Sequence, residues 1–333
     1  MIITLTANPS LDRTVALPSP LERGEVQRAV SVSQESGGKG VNVSRALVSS
    51  GLETVAVLPG GDSDPVLAGL RSGGVPFAAL AITEPLRTNV ALTEPGGVTT
   101  KINEPGPALD EEQQEALIGL LLEQSRGASW VVLAGSLPPG VPFDFYATVT
   151  RRLRSMNNGH DAPRIAVDSS GEPLNAAIST GALDGISGKP DLLKPNAEEL
   201  AELAASAGFV TASAEELEAD PEAAAAAAAA VVRSGVGAVL ATLGSKGAVL
   251  VTPDGAWLAT HPPVKAVSTV GAGDSSLAGY LLAFSQGAAP ADCLRQAVAH
   301  GAAAASLPGS TVPAVHQTTP DAVTITALRK DSQ

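Results

Sequence analysis

The sequence has few cysteine, histidine and aromatic residues, and their scarcity excludes several kinds of structural and metal site. It has 1 cysteine, Cys293, which excludes an intramolecular disulfide and a zinc site made of several cysteines. The 4 histidines show no metal-ligand spacing. Because aromatic residues make up 3% of the chain while 44% is hydrophobic, valine, leucine, isoleucine and alanine must form the core.

Positive charge and long apolar runs are also scarce. With 21 Lys and Arg against 34 Asp and Glu, the net charge of −13 argues against nucleic acid or an anionic membrane as the main partner. An anionic substrate would therefore need a local basic pocket. The longest stretch of small apolar residues, 223–232, is too short to span a bilayer, and residues 2–5 lack the basic flank of a signal peptide. We therefore expect a cytoplasmic protein.

Short apolar runs alternate with helical patterns through most of the chain. Candidate strands are 2–7, 54–58, 130–134, 165–168, 192–194, 238–242 and 248–252. Candidate helices are 41–50, 65–72, 110–124, 144–156, 196–207, 214–234, 274–286 and 289–306. This alternation predicts an α/β fold, a three-layer α/β/α core with a mainly parallel sheet, in which ligands collect at the carboxyl ends of the strands.

Two stretches, about 11–33 and 87–104, depart from this pattern. Both are alternating, polar-rich β segments, and Glu94-Pro95-Gly96-Gly97 in the second is a hairpin turn signal. We interpret them as a small β-sheet lid inserted into a single α/β domain of residues 1–333. The alternative is that they are edge strands of the main sheet. Residues from 318 onward predict a last helix or strand and a polar tail.

The segment 267–276 is the strongest candidate for chemistry. Gly271-Ala272-Gly273-Asp274 opens an apolar helix, and small residues there allow backbone N–H groups to bind an anion. Asp274 could cap the helix, or it could act as a general base beside a phosphate. We reject a dinucleotide site, because Asp274 would face the pyrophosphate with nothing to neutralise it. The pattern favours phosphate binding over a plain cap.

A second glycine-rich turn, 37–40, holds Lys39 at the start of a helix that includes Asn42. It is not a P-loop, since glycine follows Lys39 where serine or threonine is required. The turn suits a sugar or sugar phosphate close to the backbone of Gly38. A solvated lysine in an ordinary turn is the alternative.

Four polar residues of the lid segments form weaker patterns. Asp12, after the first strand, can accept hydrogen bonds from sugar hydroxyls or cap its own turn. Arg87 and Asn89 share one face of a strand by the period of two. Together with Lys101, Arg87 could clamp a phosphate, unless these charges only solvate the hairpin.

Lys194-Pro195-Asn196 leads from a strand into a helix. Asn196 and Glu199 lie one helical turn apart, and oxygen ligands so placed, often acting through water, suit Mg²⁺. The alternative is a capping box with Asn196 as N-cap and Glu199 as its partner. The turn 243–247 between two strands carries little information by itself.

Taken together and in this order, the motifs resemble those of the ribokinase-like sugar kinases, also called the phosphofructokinase B family, over nearly the whole chain. Gly-Gly-Lys-Gly at 37–40, Lys-Pro-Asn-x-x-Glu at 194–199 and Gly-Ala-Gly-Asp at 271–274 are jointly specific. Segments 6–12, 87–89, 100–107 and 134–140 are most similar to the branch of bacterial 1-phosphofructokinases and tagatose-6-phosphate kinases. Segments 168–170 and 268–270 favour 1-phosphofructokinase. Ser276 departs from the family pattern, which often has a larger apolar residue there.

The resemblance implies a role for each candidate residue. Asp274 would be the general base, and the anion hole would be formed by Gly271, Ala272 and Gly273. The sugar would be held by Asp12, Gly38, Lys39 and Asn42. Its phosphate or ring oxygens would be surrounded by Arg87, Asn89, Lys101 and Ser136. ATP would be bound by Lys194, Asn196, Thr242, Gly244 and Gly247, and Mg²⁺ would be held, through water, by Asn196 and Glu199.

The implied reaction is the ATP-dependent phosphorylation of D-fructose 1-phosphate to fructose 1,6-bisphosphate. Alternatives are a tagatose-6-phosphate kinase or 6-phosphofructokinase of the same family and, in another class, a non-catalytic sugar-phosphate sensor. A sensor would have lost the base or the glycines, and a ribose or nucleoside kinase would not need Arg87 and Lys101. A homodimer is also expected, because the lid is a marginal sheet by itself and related kinases often dimerise through it.

Overall fold

The computed structural model describes residues 1–156, 162–179, 181–183, 185–209 and 212–328, so the expected tail beyond residue 328 lies outside the described residues. Fourteen strands lie within these ranges. They are β1 (Ile2–Leu5), β2 (Ser10–Ala16), β3 (Ser31–Gly37), β4 (Thr54–Pro59), β5 (Phe77–Leu80), β6 (Arg87–Thr93), β7 (Thr99–Asn103), β8 (Trp130–Ala134), β9 (Arg164–Asp168), β10 (Leu192–Leu193), β11 (Val239–Thr242), β12 (Ala248–Thr252), β13 (Gly255–Thr260) and β14 (Thr324–Leu328).

Ten α-helices lie between the strands of the described ranges. They are α1 (Lys39–Ser49), α2 (Pro65–Ser72), α3 (Glu111–Gln124), α4 (Phe145–Arg154), α5 (Gly171–Ser179), α6 (Ala197–Ser206), α7 (Ala214–Ala219), α8 (Pro221–Arg233), α9 (Ala272–Ser285) and α10 (Pro290–Ala305). All predicted strands are present with small shifts at their ends, and so are the predicted helices except the one at 214–234. The sequence patterns missed α5, β5 and β13.

The predicted helix 214–234 is wrong, because it is two helices. Pro221 has no N–H to continue a helix, and the chain turns at Asp220 before α8 begins. The Asp220 side chain accepts hydrogen bonds from the backbone N–H groups of Glu222 and Ala223, which makes it the N-cap of the second helix.

The main sheet has ten strands in the order β14-β13-β12-β11-β10-β9-β8-β1-β4-β5. The run from β5 to β11 is parallel, and β12, β13 and β14 extend it as antiparallel strands. This confirms the predicted α/β class with a mainly parallel sheet. The residues from 318 onward contribute a strand, β14, rather than a helix.

The core lies on both faces of this sheet. Alternate residues of β8 enter different apolar clusters: Val131 and Leu133 in one, Trp130 and Val132 in the other. All of β8 is buried, as expected for a parallel strand covered by helices on both sides. Among the described residues no helix is long and apolar enough to cross a membrane.

The lid strands form a sheet of their own, in the order β3-β2-β6-β7. The prediction of a separate small sheet is confirmed, and the edge-strand alternative is wrong. The first lid segment differs from its predicted bounds, because β3 continues to Gly37 and so runs into the glycine-rich turn. The chain therefore passes directly from the lid into α1.

Candidate active site

Polar side chains of the candidate site gather at the carboxyl edge of the main sheet. Strands β1, β8, β9 and β10 are parallel neighbours, so their carboxyl ends lie side by side. Asp168 ends β9, Lys194 follows β10, and Ser136 follows β8. The lid faces this edge, because Arg87 of β6 donates hydrogen bonds to Asn8 and Ser136, which follow β1 and β8.

Asp274 lies in the first turn of α9 and is 7% exposed. It is not the helix cap: Gly271 takes that position with a φ of 75°, in the left-handed region that favours glycine. The Asp274 Oδ2 accepts a hydrogen bond of 2.9 Å from the Asn42 Nδ2. Burial, and next the negative charge of Asp168, raise the pKa of Asp274 to about 6, against the opposing effects of Lys194 and Asn42. The carboxylate is thus ionised at neutral pH and readily accepts a proton.

Asp168 lies between two lysines that the sequence patterns had assigned separately. Its Oδ1 is 2.7 Å from the Lys39 Nζ, and its Oδ2 is 3.0 Å from the Lys194 Nζ. Burial would raise the pKa of Asp168, but both lysines together hold it below its usual range. No sequence motif assigns Asp168 a role of its own, and it belongs only to the family segment 168–170. Its position after the buried run Ile165-Ala166-Val167 was the available signal for a functional residue.

Lys39 remains a cation in this setting. Burial disfavours the charge of Lys39, but Asp168 and Glu199 outweigh that effect and raise its pKa. Lys194 reaches the start of α9, where a Cβ added at Gly273 would lie 3.1 Å from its Nζ. The Lys194 ammonium and the N–H groups that open α9 therefore face the same space beside Asp274, which favours a phosphate group there, although the Ala272 N–H already donates to the Thr269 carbonyl at 3.4 Å.

Asn196 and Glu199 form the capping box that was the alternative to a metal site. The Asn196 Oδ1 accepts from the Glu199 N–H at 2.8 Å, and the Glu199 Oε2 accepts from the Asn196 N–H at 2.9 Å. The Glu199 Oε1 makes no hydrogen bond in the cap and lies 3.7 Å from the Lys39 Nζ. Within the described ranges no three His, Cys, Asp or Glu side chains come close enough together to hold a metal by themselves. One carboxylate oxygen thus remains for a hydrated Mg²⁺, which fits contact through water.

The inner face of the lid carries a connected polar cluster. Asp12 of β2 is the register partner of Asn89 on β6. The Asp12 Oδ1 accepts hydrogen bonds from the Ser10 Oγ (2.7 Å) and the Asn89 Nδ2 (3.1 Å). Burial raises the pKa of Asp12, although both hydrogen bonds oppose this. A carboxylate with a second oxygen left over suits the hydroxyls of a sugar.

Arg87 brings a cation to the same face. Its Nη2 donates to the Asn8 backbone carbonyl at 3.0 Å and to the Ser136 Oγ at 3.3 Å. Its Nε is buried without a hydrogen-bond partner in the described structure, and burial lowers the pKa of the guanidinium. Asn8, Arg87 and Ser136 line a cavity of about 650 Å³. An anionic ligand in this cavity would accept a hydrogen bond from the unpaired Arg87 Nε.

Lys101 lies apart from this cluster, whereas Thr242, Gly244 and Gly247 lie in the expected turn. Lys101 of β7 is exposed, and no hydrogen bond or ion pair joins it to the residues that the structure describes; its register partner is Ala91, one pleat beyond Asn89. Gly244 and Gly247 belong to the turn after Thr242, where a Cβ at Gly247 would strike the Ala259 carbonyl at 2.0 Å. Backbone packing alone therefore requires that glycine. Thr242 itself bridges to Asn196 at the sheet edge.

Gly38 is required by its conformation as well as by its position. It is the N-cap of α1 with a φ of 104°, and a Cβ there would lie 2.7 Å from the Thr6 Cγ2. The close approach of this turn to the end of β1 places Lys39 and Asn42 at the carboxyl edge. Lys39 then spans to Asp168 on β9, and Asn42 reaches Asp274 on α9.

Comparison with known proteins gives a consistent picture. The model of the pfkB family of carbohydrate kinases matches residues 5–317. The chain is 33% identical over 307 residues to ATP-dependent 6-phosphofructokinase isozyme 2 of Escherichia coli, covering 91% of this chain and 92% of that protein. It is 34% identical over 301 residues to 1-phosphofructokinase of Xanthomonas campestris, covering 89% and 88%.

Solved structures agree in fold. Phosphofructokinase-2 from Escherichia coli in complex with substrates and products matches with a TM-score of 0.80 at 30% identity, covering 95% of this chain and 96% of that one. Ribokinase from Thermotoga maritima matches with a TM-score of 0.72 at 20% identity, covering 95% and 97%, which shows the fold alone. The expected ribokinase-like architecture is confirmed.

Proposed function

The chain belongs to the pfkB family of carbohydrate kinases, and we propose that it transfers the γ-phosphoryl group of ATP to a hydroxyl of a fructose phosphate, with Asp274 as general base. The observation that carries this proposal is the Asp274 carboxylate, buried beside the N-terminus of α9 and held by Asn42 with a pKa of about 6. A base of this strength is largely ionised at neutral pH and accepts a proton there.

The step requires positioning and charge neutralisation more than covalent catalysis. The Asp274 carboxylate takes the proton of the attacking hydroxyl, the hydroxyl oxygen bonds to the γ-phosphorus, and the bond from that phosphorus to the bridging oxygen of ADP breaks. The N–H groups of Gly271, Ala272 and Gly273 and the Lys194 ammonium stabilise the negative charge of the transferring group. Closure of the lid excludes water, which would otherwise accept the phosphoryl group.

The remaining contacts with ATP are assigned to the edge of the sheet beyond β10. Asn196 and the turn with Thr242, Gly244 and Gly247 would border the nucleotide. Mg²⁺, when bound, neutralises phosphate charge. The Glu199 Oε1 is the oxygen available to hold it through water, because Asn196 and the other Glu199 oxygen are engaged in the capping box.

The proposed sugar substrate already carries one phosphate. Arg87 supports this, because its buried Nε has no partner among the described residues and a neutral sugar offers only weak acceptors. Asp12, Asn89 and Ser136 would hold ring oxygens and hydroxyls, and Lys101 would reach the phosphate only on lid closure. Fructose 1-phosphate, phosphorylated at its 6-hydroxyl, is our preferred substrate on the family segments 168–170 and 268–270.

Fructose 6-phosphate and tagatose 6-phosphate are the competing substrates. The two hydroxymethyl groups of fructofuranose are related by an approximate two-fold axis, so a pocket for either phosphate has a similar shape. Discrimination depends on ring hydroxyls, and misplacing one buried hydrogen bond costs roughly 1–3 kcal/mol, about tenfold to a hundredfold in rate. The relatives named above include both a 1-phosphofructokinase and a 6-phosphofructokinase.

A side-by-side measurement of kcat/KM for the three sugar phosphates, with unphosphorylated fructose as control, tests the proposal. We expect fructose 1-phosphate to be preferred by about tenfold or more and fructose to be poor. Preference for either 6-phosphate contradicts the substrate assignment but not the assignment of kinase activity. Tight binding of a sugar phosphate without ATP turnover would instead support the sensor.

Two further features belong to this proposal. The outer face of the lid would be covered by a second copy of the chain, because Val32 and Ile102 are 49% and 56% exposed on it. The reaction would run in the cytoplasm, where ATP is available and a lone cysteine such as Cys293 stays reduced.

A further inference from the structure

A polar network connects the lid to the proposed base through one arginine of α1. Arg45 lies three residues after Asn42 and is largely buried, with 18% of its side chain exposed. Its Nη2 is 2.8 Å from the Glu35 Oε2 on lid strand β3. Its Nη1 donates to the Asn42 Oδ1 at 3.3 Å, to the Ser36 carbonyl at 3.2 Å and to the Ser310 carbonyl at 3.2 Å.

The contact with Arg45 decides which way the Asn42 amide points. A guanidinium can only donate, so it must face the amide oxygen, and the amide nitrogen must then face the Asp274 carboxylate, which can only accept. The opposite orientation would put two donors together at Arg45 and two acceptors together at Asp274. The 2.9 Å hydrogen bond from the Asn42 Nδ2 to Asp274 is therefore maintained from its other end by Arg45.

The same ion pair extends to the start of α9. The Ser310 Oγ donates to the Glu35 Oε2 at 2.8 Å, so Glu35 holds Arg45 and the segment after α10 at once. A Cβ added at Gly271 would have the Ser310 Cα as its nearest neighbour, at 4.0 Å. The lid strand β3 thus contacts one group that orients the base and another that packs beside the proposed anion hole.

We propose that Arg45 is a positioning residue that couples lid strand β3 to the general base, by holding Glu35 on one side and the amide of Asn42 on the other. This inference rests on the proposed role of Asp274 as base. When β3 holds Glu35 in place, Arg45 is fixed and Asp274 keeps its donor and its orientation. When β3 moves away, the guanidinium loses its strongest partner and Asn42 is free to turn.

The central test compares Arg45→Met with Arg45→Lys in the full-length enzyme. Arg45→Met should lower kcat by about tenfold to a hundredfold, as expected for a misplaced catalytic group, with a smaller change in the KM for ATP. It should also move the acid limb of the kcat–pH profile to higher pH, because the hydrogen bond from Asn42 favours the charged form of Asp274. The other charged groups that act on Asp274, namely Asp168, Lys194 and Lys39, are unchanged in both variants.

Arg45→Lys separates charge from geometry. It keeps the cation, which also acts on Asp12, but a single ammonium cannot hold Glu35 and Asn42 at the separate ends of a fork. We expect Arg45→Lys to show the same shift of the acid limb as Arg45→Met and most of the same decrease in kcat. If Arg45→Lys has the wild-type kcat and the wild-type acid limb, the positive charge alone is sufficient, and the proposed coupling through the two ends of the guanidinium is wrong.

Two further variants make the result decisive. Arg152→Met on α4 removes an exposed ion pair with Glu115 on α3 and should leave kcat and the pH profile unchanged. Glu35→Gln, which keeps an acceptor for Arg45 and disturbs the core less, should reproduce part of the effect if Arg45→Met fails to fold. A folded Arg45→Met with wild-type kcat and acid limb overturns the inference. If Asp274→Asn retains turnover, the proposed function is wrong, and the inference about Arg45 is wrong with it. Asp274→Asn therefore distinguishes failure of the proposed function from failure of the Arg45 coupling alone.

Discussion

At the start of α9, the Asp274 carboxylate is surrounded by groups that act in opposite directions on its charge. Burial and the nearby Asp168 disfavour the anion, while Lys194 and the donor of Asn42 favour it. The balance leaves its pKa near 6, well above the ordinary value of 3.8. The raised pKa suits the proposed role of Asp274 as a base, but the buried charge lowers the stability of the folded protein, as is common at functional sites.

The conflict predicts opposite effects of Asp274→Asn on turnover and on stability. Turnover should fall at least ~10²-fold, the usual range for a positioned base, with ATP and sugar-phosphate binding retained. The free energy of unfolding at pH 7.5 should rise by about 1–3 kcal/mol, because the neutral amide avoids the penalty of a buried charge. Kinetics, calorimetric binding and chemical denaturation measure the three quantities. Asp62→Asn, at an exposed carboxylate, is the control, and near-native turnover of folded Asp274→Asn would refute the assignment.

The same pKa predicts how the wild-type enzyme responds to pH. Turnover should rise with pH through about 6 as Asp274 ionises. Because a raised pKa means that the folded protein binds more protons than the unfolded chain between about pH 4 and 6, Asp274 should make the protein less stable as pH rises through that window. The profile should be measured in kcat at saturating sugar phosphate, since that substrate titrates in the same range. A flat kcat from pH 5 to 8 would contradict the prediction.

Among the elements, α9 and α10 pack unusually closely, and this sets the position of Asp274. A Cβ added at Gly279 of α9 would lie 2.5 Å from the Gln296 carbonyl and 2.8 Å from the His300 ring, and one added at Gly301 of α10 would lie 2.3 Å from the Ser276 Oγ. The small Ser276, a departure from the family pattern, is explained by this contact. The position of α9 is thus fixed by α10, a helix that carries none of the proposed site residues.

Gly279→Ala should therefore affect activity from a distance. The added methyl group cannot be accommodated without moving α9 away from α10, and overpacking of this kind costs about 1–3 kcal/mol. We expect a lower free energy of unfolding and a lower kcat, with KM values less affected. Gly119→Ala is the matched control, since a Cβ there meets nothing within 4 Å on α3 and alanine favours the helix. Unchanged stability and kcat in Gly279→Ala would show that the helices tolerate separation.

For the whole molecule, the lid has two different faces. The inner face carries Asp12, Arg87 and Asn89 toward the site. The outer face has alternate residues of the same strands, with Val32 and Ile102 exposed and Val15, Val90 and Leu92 partly buried. A four-stranded sheet with an apolar face toward water is a typical interaction surface. A second copy that covers this face would also stabilise the lid, which we propose closes over the substrate.

Charge on the outer face should separate the copies. We expect the wild-type chain to be a dimer at micromolar concentration in light scattering, and the double variant Val32→Lys, Ile102→Lys to be a monomer with reduced kcat/KM for the sugar phosphate. Val315→Lys, at a 42% exposed apolar residue outside the lid, should remain a dimer. A wild-type monomer, or a dimer that survives both lysines, would contradict the proposed interface.

Much of this molecule was predictable from local sequence because its fold follows local patterns. Buried parallel strands appear as short apolar runs, and glycine-rich turns mark where strands meet helices, so the α/β class, the small sheet and the positions of Gly38 and Asp274 could be identified. The patterns failed where local signals were weak. Pro221, the signal of the break between α7 and α8, stands inside a long helical pattern, and the short run of β5 is too brief to distinguish from a loop.

Only the tertiary structure decided which polar groups meet, since ion pairs depend on the order of strands and not on distance along the chain. Asp168 joins Lys39, 129 residues earlier, because β9 lies two strands from β1. Asn196 and Glu199 satisfy a metal pattern and a capping pattern equally in sequence, and the hydrogen bonds show the cap. Arg45 carried no motif at all. Its importance comes from the fold, which brings Glu35, Asn42 and Ser310 to one guanidinium within hydrogen-bonding distance.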